Sequence, residues 1–309
     1  RYQRPHGKSA RSVSALFSVM LPIAIIVAIG AIAGKRLPID ISSLTKITLY
    51  VFAPALAADS MYRAQVAASA AIRIFLAYSL ATLGLYLLVI LVARASRQSP
   101  ESTKSLISTT IFPNVGNMGL SLTVFALGTE ALDRGFVTFA SGALFVFGLG
   151  PALVSGGGLK AGFRTTIRLP MMWALLVGIL LRAFTITLPE GLANGLHLLA
   201  GAAIPILLIT LGLQISRQRF AVLPSDWLAT GLRLGAGPVA AYLAGRILGL
   251  DALALKVLVL QCSTPTAVNA LLISAEFGGD ARKAARVVVV SSLVCFLTIP
   301  IVMWLMGIA

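Results

Sequence analysis

The sequence predicts an all-α polytopic membrane protein with ten transmembrane helices, arranged as two inverted repeats of five. The composition supports this fold class: 58% of the 309 residues are apolar, only 11% are charged, and the mean hydropathy is +0.94. An ordinary soluble domain carries about 25% charged residues, because its surface must be solvated. The composition therefore excludes soluble, fibrous and disordered proteins. The apolar residues run continuously rather than alternating, which excludes an outer-membrane barrel.

Ten apolar stretches are long enough to be transmembrane helices, which need about 20 mostly apolar residues. In chain order these predicted spans are 14–34, 41–60, 69–93, 104–127, 135–154, 170–188, 192–215, 224–248, 254–275 and 285–308. A polar, basic N-terminal tail at 1–13 precedes them. A Gly-rich and then basic linker at 155–169 divides the chain into repeats at 14–154 and 170–309, and we expect this linker to be cytoplasmic.

The net charge of +15 comes from basic residues that stand in ones and twos between the apolar stretches. The odd-numbered connections between spans carry more Lys and Arg than the even-numbered ones. This asymmetry predicts that the odd-numbered connections are cytoplasmic, and that both termini are non-cytoplasmic in a protein of the cell inner membrane. The charge thus indicates orientation in a lipid bilayer, and we expect no nucleic-acid partner.

An internal repeat appears in the intramembrane prolines. The first half has Pro22, Pro54 and Pro113, at intervals of 32 and 59 residues, and the second half has Pro170, Pro205 and Pro265, at intervals of 35 and 60. The segments 104–117 and 256–269 also align without a gap, with Lys, Leu, Pro and Asn at the same positions. Because each half has an odd number of spans, the two halves must be inverted relative to each other.

Pro113 and Pro265 predict that the fourth and ninth spans are broken near the middle of the membrane, since proline removes a backbone hydrogen bond and clashes with the preceding turn. The half-helix after each break then points its N-terminus inward, with partial positive charge and free N–H groups. Asn117 and Asn269 add amide groups at the same depth. This pattern favours a small-anion site that needs no buried cation, and a carboxylate is its natural occupant. The candidate substrate-binding residues are Pro113, Asn114, Gly116, Asn117, Pro265, Thr266 and Asn269.

Three charged residues within or near the spans are candidates for gating or coupling: Arg73, Arg233 and Asp59. Charges inside a membrane are costly and are often functional. Each also has a plainer interpretation: Asp59 as a solvated helix end, and the two arginines as side chains that extend to the membrane surface.

The segments PNVGNMG (Pro113–Gly119), AAIPILLITLG (Ala202–Gly212) and QCSTPTAVNA (Gln261–Ala270), together with the ten spans, resemble the auxin efflux carrier family. The resemblance covers the chain from about residue 14. It implies that helices 4 and 9 cross at their prolines, that helices 1, 2, 6 and 7 form a scaffold, and that the other helices form a moving transport unit. It also implies elevator-type alternating access, homodimers formed through the scaffold, and organic anions as substrates.

The substrates implied by the resemblance are auxins, as in plants, or dicarboxylates such as malate or malonate, as in bacteria. Two features depart from the plant pattern. The long central hydrophilic loop is missing, and Ser69 stands where some plant members have an acidic residue, while Arg73 keeps the basic partner.

The sequence therefore predicts a secondary transporter of small organic anions, coupled to protons, to the membrane potential, or to neither. The alternative is a sodium-coupled organic-anion symporter of the bile-acid-transporter type. No cluster of acidic residues, HExxH or nucleotide fingerprint is present, so we expect no enzyme activity, no catalytic residues, no metal site and no cofactor.

Overall fold

The computed structural model describes residues 7–63, 66–155, 170–217 and 222–308. Within these ranges the secondary structure is helical, apart from one isolated bridge between Pro113 and Thr266. In chain order the helices are α1 Gly7–Arg36, α2 Ile41–Arg63, α3 Ala68–Ala95, α4a Pro100–Ile111, α4b Val115–Leu127, α5 132–155, α6 Pro170–Ala183, α7 Glu190–Ser216, α8 224–247, α9a Ala252–Cys262, α9b Val268–Glu276 and α10 Ala281–Leu305.

The helices overlap the ten predicted spans. Helix α1 begins at Gly7, inside the predicted tail, while residues 1–6 and residues 156–169 of the predicted linker lie outside the described ranges. In the part of the chain that the structure describes, five helices are long and apolar enough to cross a membrane, namely Val19–Arg36 within α1, and α2, α3, α7 and α10. The chain is thus a polytopic helical membrane protein. The ten-span inverted repeat stays a prediction.

Prolines inside the helices are accommodated in two ways. Pro22, Pro205 and Pro300 lie within continuous α-helix. Before Pro54, by contrast, α2 widens into a π-turn at Thr48–Phe52, and before Pro238, α8 does the same at Leu232–Ala236. A proline cannot donate to the carbonyl four residues earlier and clashes with it, and the wider turn relieves this conflict.

The helices pack in two groups. In the first group α7 packs against α1 and α2, and α6 packs against α2. In the second group α3 packs on α8, α4a and α5, and α10 packs on α4a, α8 and α9b. The groups meet where α7 and α1 contact α4b and where α2 contacts α5. In the first group, glycine allows the backbones of α1 and α7 to approach closely. A Cβ at Gly212 on α7 would lie only 2.0 Å from the carbonyl oxygen of Val27 on α1, so a larger residue would clash there.

The connections between helices are numbered in chain order. In the contacts described next, odd-numbered connections touch odd-numbered ones, and even-numbered connections touch even-numbered ones. Arg217, after α7, donates to the carbonyl oxygen of Ile39 between α1 and α2, at 3.0 Å. The N–H of Asp280, between α9b and α10, donates to the carbonyl oxygen of Glu101 at the start of α4a, at 3.3 Å. Both contacts join odd-numbered connections.

The even-numbered connections behave in the same way. Arg182, at the end of α6, donates to the carbonyl oxygen of Val66 between α2 and α3, at 3.0 Å. Arg134, near the start of α5, lies 3.7 Å from a carboxylate oxygen of Asp251 between α8 and α9a. These contacts are the ones expected if each predicted span crosses the membrane once.

Candidate functional site

The two breaks lie side by side and are hydrogen-bonded to each other. The backbone N–H of Asn114 donates to the carbonyl oxygen of Pro265 at 2.8 Å, and the N–H of Ala267 donates to the carbonyl oxygen of Phe112 at 2.9 Å. Phe112 is extended, with φ −107° and ψ 92°, as expected for a residue that precedes proline. The interrupted spans therefore meet as a short antiparallel bridge, and each break supplies the other with backbone partners.

Proline leaves helical carbonyl groups without their usual donors, and residues of the other break satisfy one of them. In a continuous helix the carbonyl of Thr109 would accept from residue 113, but Pro113 has no N–H. The hydroxyl of Thr266 donates to this carbonyl instead, at 2.7 Å, while the N–H of Thr266 donates to the Ser291 hydroxyl at 3.1 Å. Thr266 is fully buried and does not line the cavity. Its hydrogen bond to Thr109 links the second break to the helix before the first break.

A cavity of about 170 Å³ opens beside the breaks. Five of the seven predicted substrate-binding residues line it: Pro113, Asn114, Gly116, Asn117 and Asn269. The other two, Pro265 and Thr266, lie outside the lining. Asn117 and Asn269, each four residues after a proline, therefore line the same cavity. Pro113 also lines this cavity, whereas Pro265 does not.

Most of the remaining lining comes from helices that the sequence did not connect to the breaks. It includes residues of α2, α5 and α7, together with the start of α9b: Thr45, Thr48, Tyr50, Ala53, Phe139, Gly142, Ala143, Val146, Leu207, Thr210, Gln214, Ala267 and Val268. Thr210 and Gln214 were not among the predicted site residues, although both line the cavity. The available signal was that both are polar residues in the otherwise apolar turn that follows AAIPILLI.

Three polar side-chain atoms at the cavity wall are buried and have no hydrogen-bond partner among the described residues: Asn114 Nδ2, Thr210 Oγ1 and Gln214 Oε1. Asn114 is only 5% exposed and Thr210 only 2%. Leaving such groups unpaired is costly, about 1–3 kcal/mol each. Among the described residues that line the cavity, none is charged. The wall therefore offers amides and hydroxyls, in an otherwise apolar surface, to whatever occupies it.

The half-helices after the breaks begin at this cavity. Val115 and Gly116 open α4b, Val268 and Asn269 open α9b, and all four line the cavity. The first N–H groups of a helix lack partners within it, and the helix end carries about half a positive elementary charge. Two such ends at one apolar cavity, with amides beside them, form an environment that favours an anion.

The three charged candidates lie elsewhere. Arg73 on α3 is exposed and does not line the cavity. Asp59 is 6% exposed, so its interpretation as a solvated helix end is wrong. Its carboxylate accepts from Arg63 Nε at 2.9 Å and lies 3.0 Å from His197 Nδ1, which ties α2 to α7.

Arg233 on α8 is 1% exposed, so the interpretation that its side chain extends to the membrane surface is wrong. Its guanidinium donates to the carbonyl oxygens of Thr110, at the end of α4a, and of Cys262, at the end of α9a. Arg233 therefore contacts the ends of both half-helices that precede the breaks.

Comparison with known proteins identifies two similarities. A sequence profile of the family described as membrane transport protein matches residues 159–303, which include Pro265 and Asn269. An uncharacterized transporter of Methanothermobacter thermautotrophicus is 28% identical over 269 residues, which cover 85% of this chain and 88% of that protein. This second match extends well beyond the profile match.

Proposed function

We propose that this chain, which is similar to membrane transport proteins and resembles the auxin efflux carrier family, is a secondary carrier of small organic anions, with the substrate carboxylate bound at the paired breaks. The observation that carries this proposal is the unpartnered amide of Asn114, buried in the cavity wall where α4b and α9b begin. A carboxylate there accepts from amide side chains and from free helix N–H groups, and it faces two partial positive charges.

The size and chemistry of the cavity restrict the substrate. A volume of about 170 Å³ is close to that of a cavity that holds one benzene-sized molecule, roughly 150 Å³. The two helix ends together supply about one elementary charge of positive potential. This favours a compact acid with one carboxylate at the breaks and an apolar body against residues such as Phe139, Val146 and Leu207. A compact dicarboxylate would place its second group against Thr210 and Gln214.

The two packing groups support a proposal for the transport cycle. We propose that α1, α2, α6 and α7 form a scaffold, and that the other helices, which include both breaks, move against it as the transport unit. The cavity supports this division, since Thr210 and Gln214 face it from α7 while the asparagines face it from the breaks. Movement along this boundary would carry a bound anion from one side of the membrane to the other.

The proposed setting is the cell inner membrane, with both termini non-cytoplasmic and two inverted repeats at 14–154 and 170–309. The same-parity contacts between connections support one crossing per span, and the excess of Lys and Arg in the odd-numbered connections supports the orientation. We also propose a homodimer through the scaffold, which rests on the family resemblance. Apolar side chains on α1 and α6, among them Ile25, Ile29, Trp173 and Val177, are exposed and available to such an interface.

The experiment that tests this function uses the purified full-length protein. Thermal unfolding is measured with a panel of monocarboxylates, dicarboxylates and the corresponding neutral amides, with and without sodium, at two pH values. A ligand that binds the folded state raises the unfolding temperature, and the rise increases with the logarithm of its concentration relative to its Kd. Stabilising acids are then tested for uptake into proteoliposomes.

Stabilisation and uptake by acids, with no effect of their amides, are expected. Equal stabilisation by amides, or no stabilisation by any acid, would refute the anion proposal. Stabilisation that requires sodium would favour the sodium-coupled symporter. Uptake that depends on a pH difference would indicate proton coupling, and uptake that depends only on membrane potential would indicate neither ion.

A further inference from the structure

Arg233 occupies an unusual position for a membrane-embedded charge. It lies in the π-turn of α8, its side chain is 1% exposed, and within the described residues it has no acidic partner. One guanidinium nitrogen donates to the carbonyl oxygen of Thr110 at 2.5 Å, and the other donates to the carbonyl oxygen of Cys262. A single side chain therefore reaches both half-helices, although they come from different halves of the sequence.

The two carbonyls that Arg233 contacts are among those that the breaks leave without helical donors. In a continuous helix Thr110 would accept from the N–H of Asn114, but that N–H donates to Pro265. Cys262 would accept from the N–H of Thr266, but that N–H donates to Ser291. An unpaired buried carbonyl is costly in a membrane protein. Arg233 supplies the missing donor to both.

The charge of Arg233 also matches its surroundings. The C-terminal end of a helix carries about half a negative elementary charge, so the ends of α4a and α9a together carry about one. The guanidinium carries one positive charge and is always protonated in proteins. Arg233 thus offsets the negative ends of the helices before the breaks, and the positive ends of α4b and α9b remain to act on the cavity.

The backbone of α8 provides the space for this arrangement. A Cβ at Gly237, one turn after Arg233, would lie 2.1 Å from a guanidinium nitrogen of Arg233 and 3.0 Å from the carbonyl oxygen of Cys262. Only glycine at this position allows the guanidinium to lie between the two helix ends. The π-turn and Gly237 therefore direct a long cationic side chain to one place.

We propose that Arg233 is a positioning residue, which holds the ends of α4a and α9a together and neutralises their partial charge, so that the paired breaks keep their geometry. The positioning role is inferred only from the hydrogen bonds of Arg233 to Thr110 and Cys262. The consequence for anion binding rests on the proposed function.

Hydrogen exchange of the ligand-free, full-length protein tests the positioning role. Exchange is followed by mass spectrometry in peptides that cover the two breaks, in wild type and in the variants R233M, R233K, G237A and R246M. R246M is the matched control, because Arg246 is an exposed arginine on the same helix. G237A keeps the charge of Arg233 and displaces its guanidinium.

R233M and G237A are expected to exchange at least about tenfold faster at both breaks, with little change elsewhere, because local opening there loses its largest restraint. R246M is expected to match wild type, and R233K, which keeps the charge, is expected to lie between R233M and wild type. If R233M does not fold, G237A and R233K are compared in the same way.

Wild-type exchange at either break in R233M and G237A would overturn the proposal, as would faster exchange spread evenly over all helices. An R233K variant that exchanges as fast as R233M would overturn the charge part. Because no substrate is present, these results do not depend on the proposed function. A protein with the expected exchange pattern that binds no organic acid would refute the proposed function alone.

Discussion

The backbone N–H of Asn114 donates to the carbonyl oxygen of Pro265 at 2.8 Å, across 151 residues of sequence. This bond replaces the helical bond that Asn114 would otherwise make to Thr110. It fixes the start of α4b beside the start of α9b, where both face one cavity. The geometry of the candidate site therefore depends on a small number of hydrogen bonds at the two breaks, and each of them can be tested.

Thr266→Val is expected to destabilise the protein by about 1–3 kcal/mol, because it leaves the buried carbonyl of Thr109 without a donor while keeping the shape of the side chain. Thermal or denaturant unfolding in detergent measures the effect. Ser79→Ala is the control, since the Ser79 hydroxyl donates to a carbonyl of its own helix near the surface. Equal stability of Thr266→Val and wild type would show that this bond contributes little.

Asn117→Ala and Asn269→Ala are expected to weaken carboxylate binding with folding retained. A hydrogen bond to a charged group contributes about 1.5–3 kcal/mol, so each variant should bind roughly ten- to a hundred-fold more weakly. The acid that stabilises wild type most is titrated against each variant. Asn194→Ala, an exposed amide on α7, serves as the control. Normal binding by both variants would place the anion site elsewhere.

Thr210→Val separates binding from stability. The Thr210 hydroxyl is buried at the cavity wall and has no partner within the described ranges, so its removal should leave the ligand-free protein as stable as wild type or more stable. Affinity for a ligand that uses this hydroxyl should fall. Thr298→Val is the matched control, because its hydroxyl is also unpartnered but does not line the cavity. If both variants alter affinity equally, Thr210 does not contact the ligand.

Gly212→Ala is expected to destabilise the packing of α1 on α7 by about 1–3 kcal/mol, because the added methyl group would overlap the backbone at Val27. Gly201→Ala on the same helix provides the comparison, since a Cβ there meets nothing within 4 Å. This second variant should gain stability, by up to about 1 kcal/mol from helix propensity. Unfolding temperatures of the two variants that shift in the same direction would contradict the close approach of α1 and α7.

Much of the candidate site could be predicted from local sequence. Proline at 113 and 265 ends a helix wherever the chain folds, since the missing N–H and the ring clash are properties of the residue itself. The ungapped match of 104–117 with 256–269 indicated that the two breaks correspond to each other. Asn117 and Asn269, which lie at the same distance from the two prolines, line one cavity in the structure, and their role in binding substrate stays a prediction.

Other residues could not be assigned in this way. The pattern of apolar residues places Thr210, Gln214 and Arg233 at a depth along a helix, but it does not say what each side chain faces. Asp59 was misread for the same reason, because its burial depends on Arg63 and on His197 from another helix. Thr266, beside the second proline, was assigned to the substrate, whereas its hydroxyl reaches the other break.

The sequence by itself determined that the protein is a helical membrane protein, where two of its spans break, and which amides lie beside the breaks. These are consequences of composition and of backbone chemistry at single positions. Only the tertiary structure decided that the breaks pair with each other, that α7 completes the cavity, and that Arg233 caps both half-helices. Those arrangements join residues more than a hundred positions apart, and their partners are set by how the helices pack.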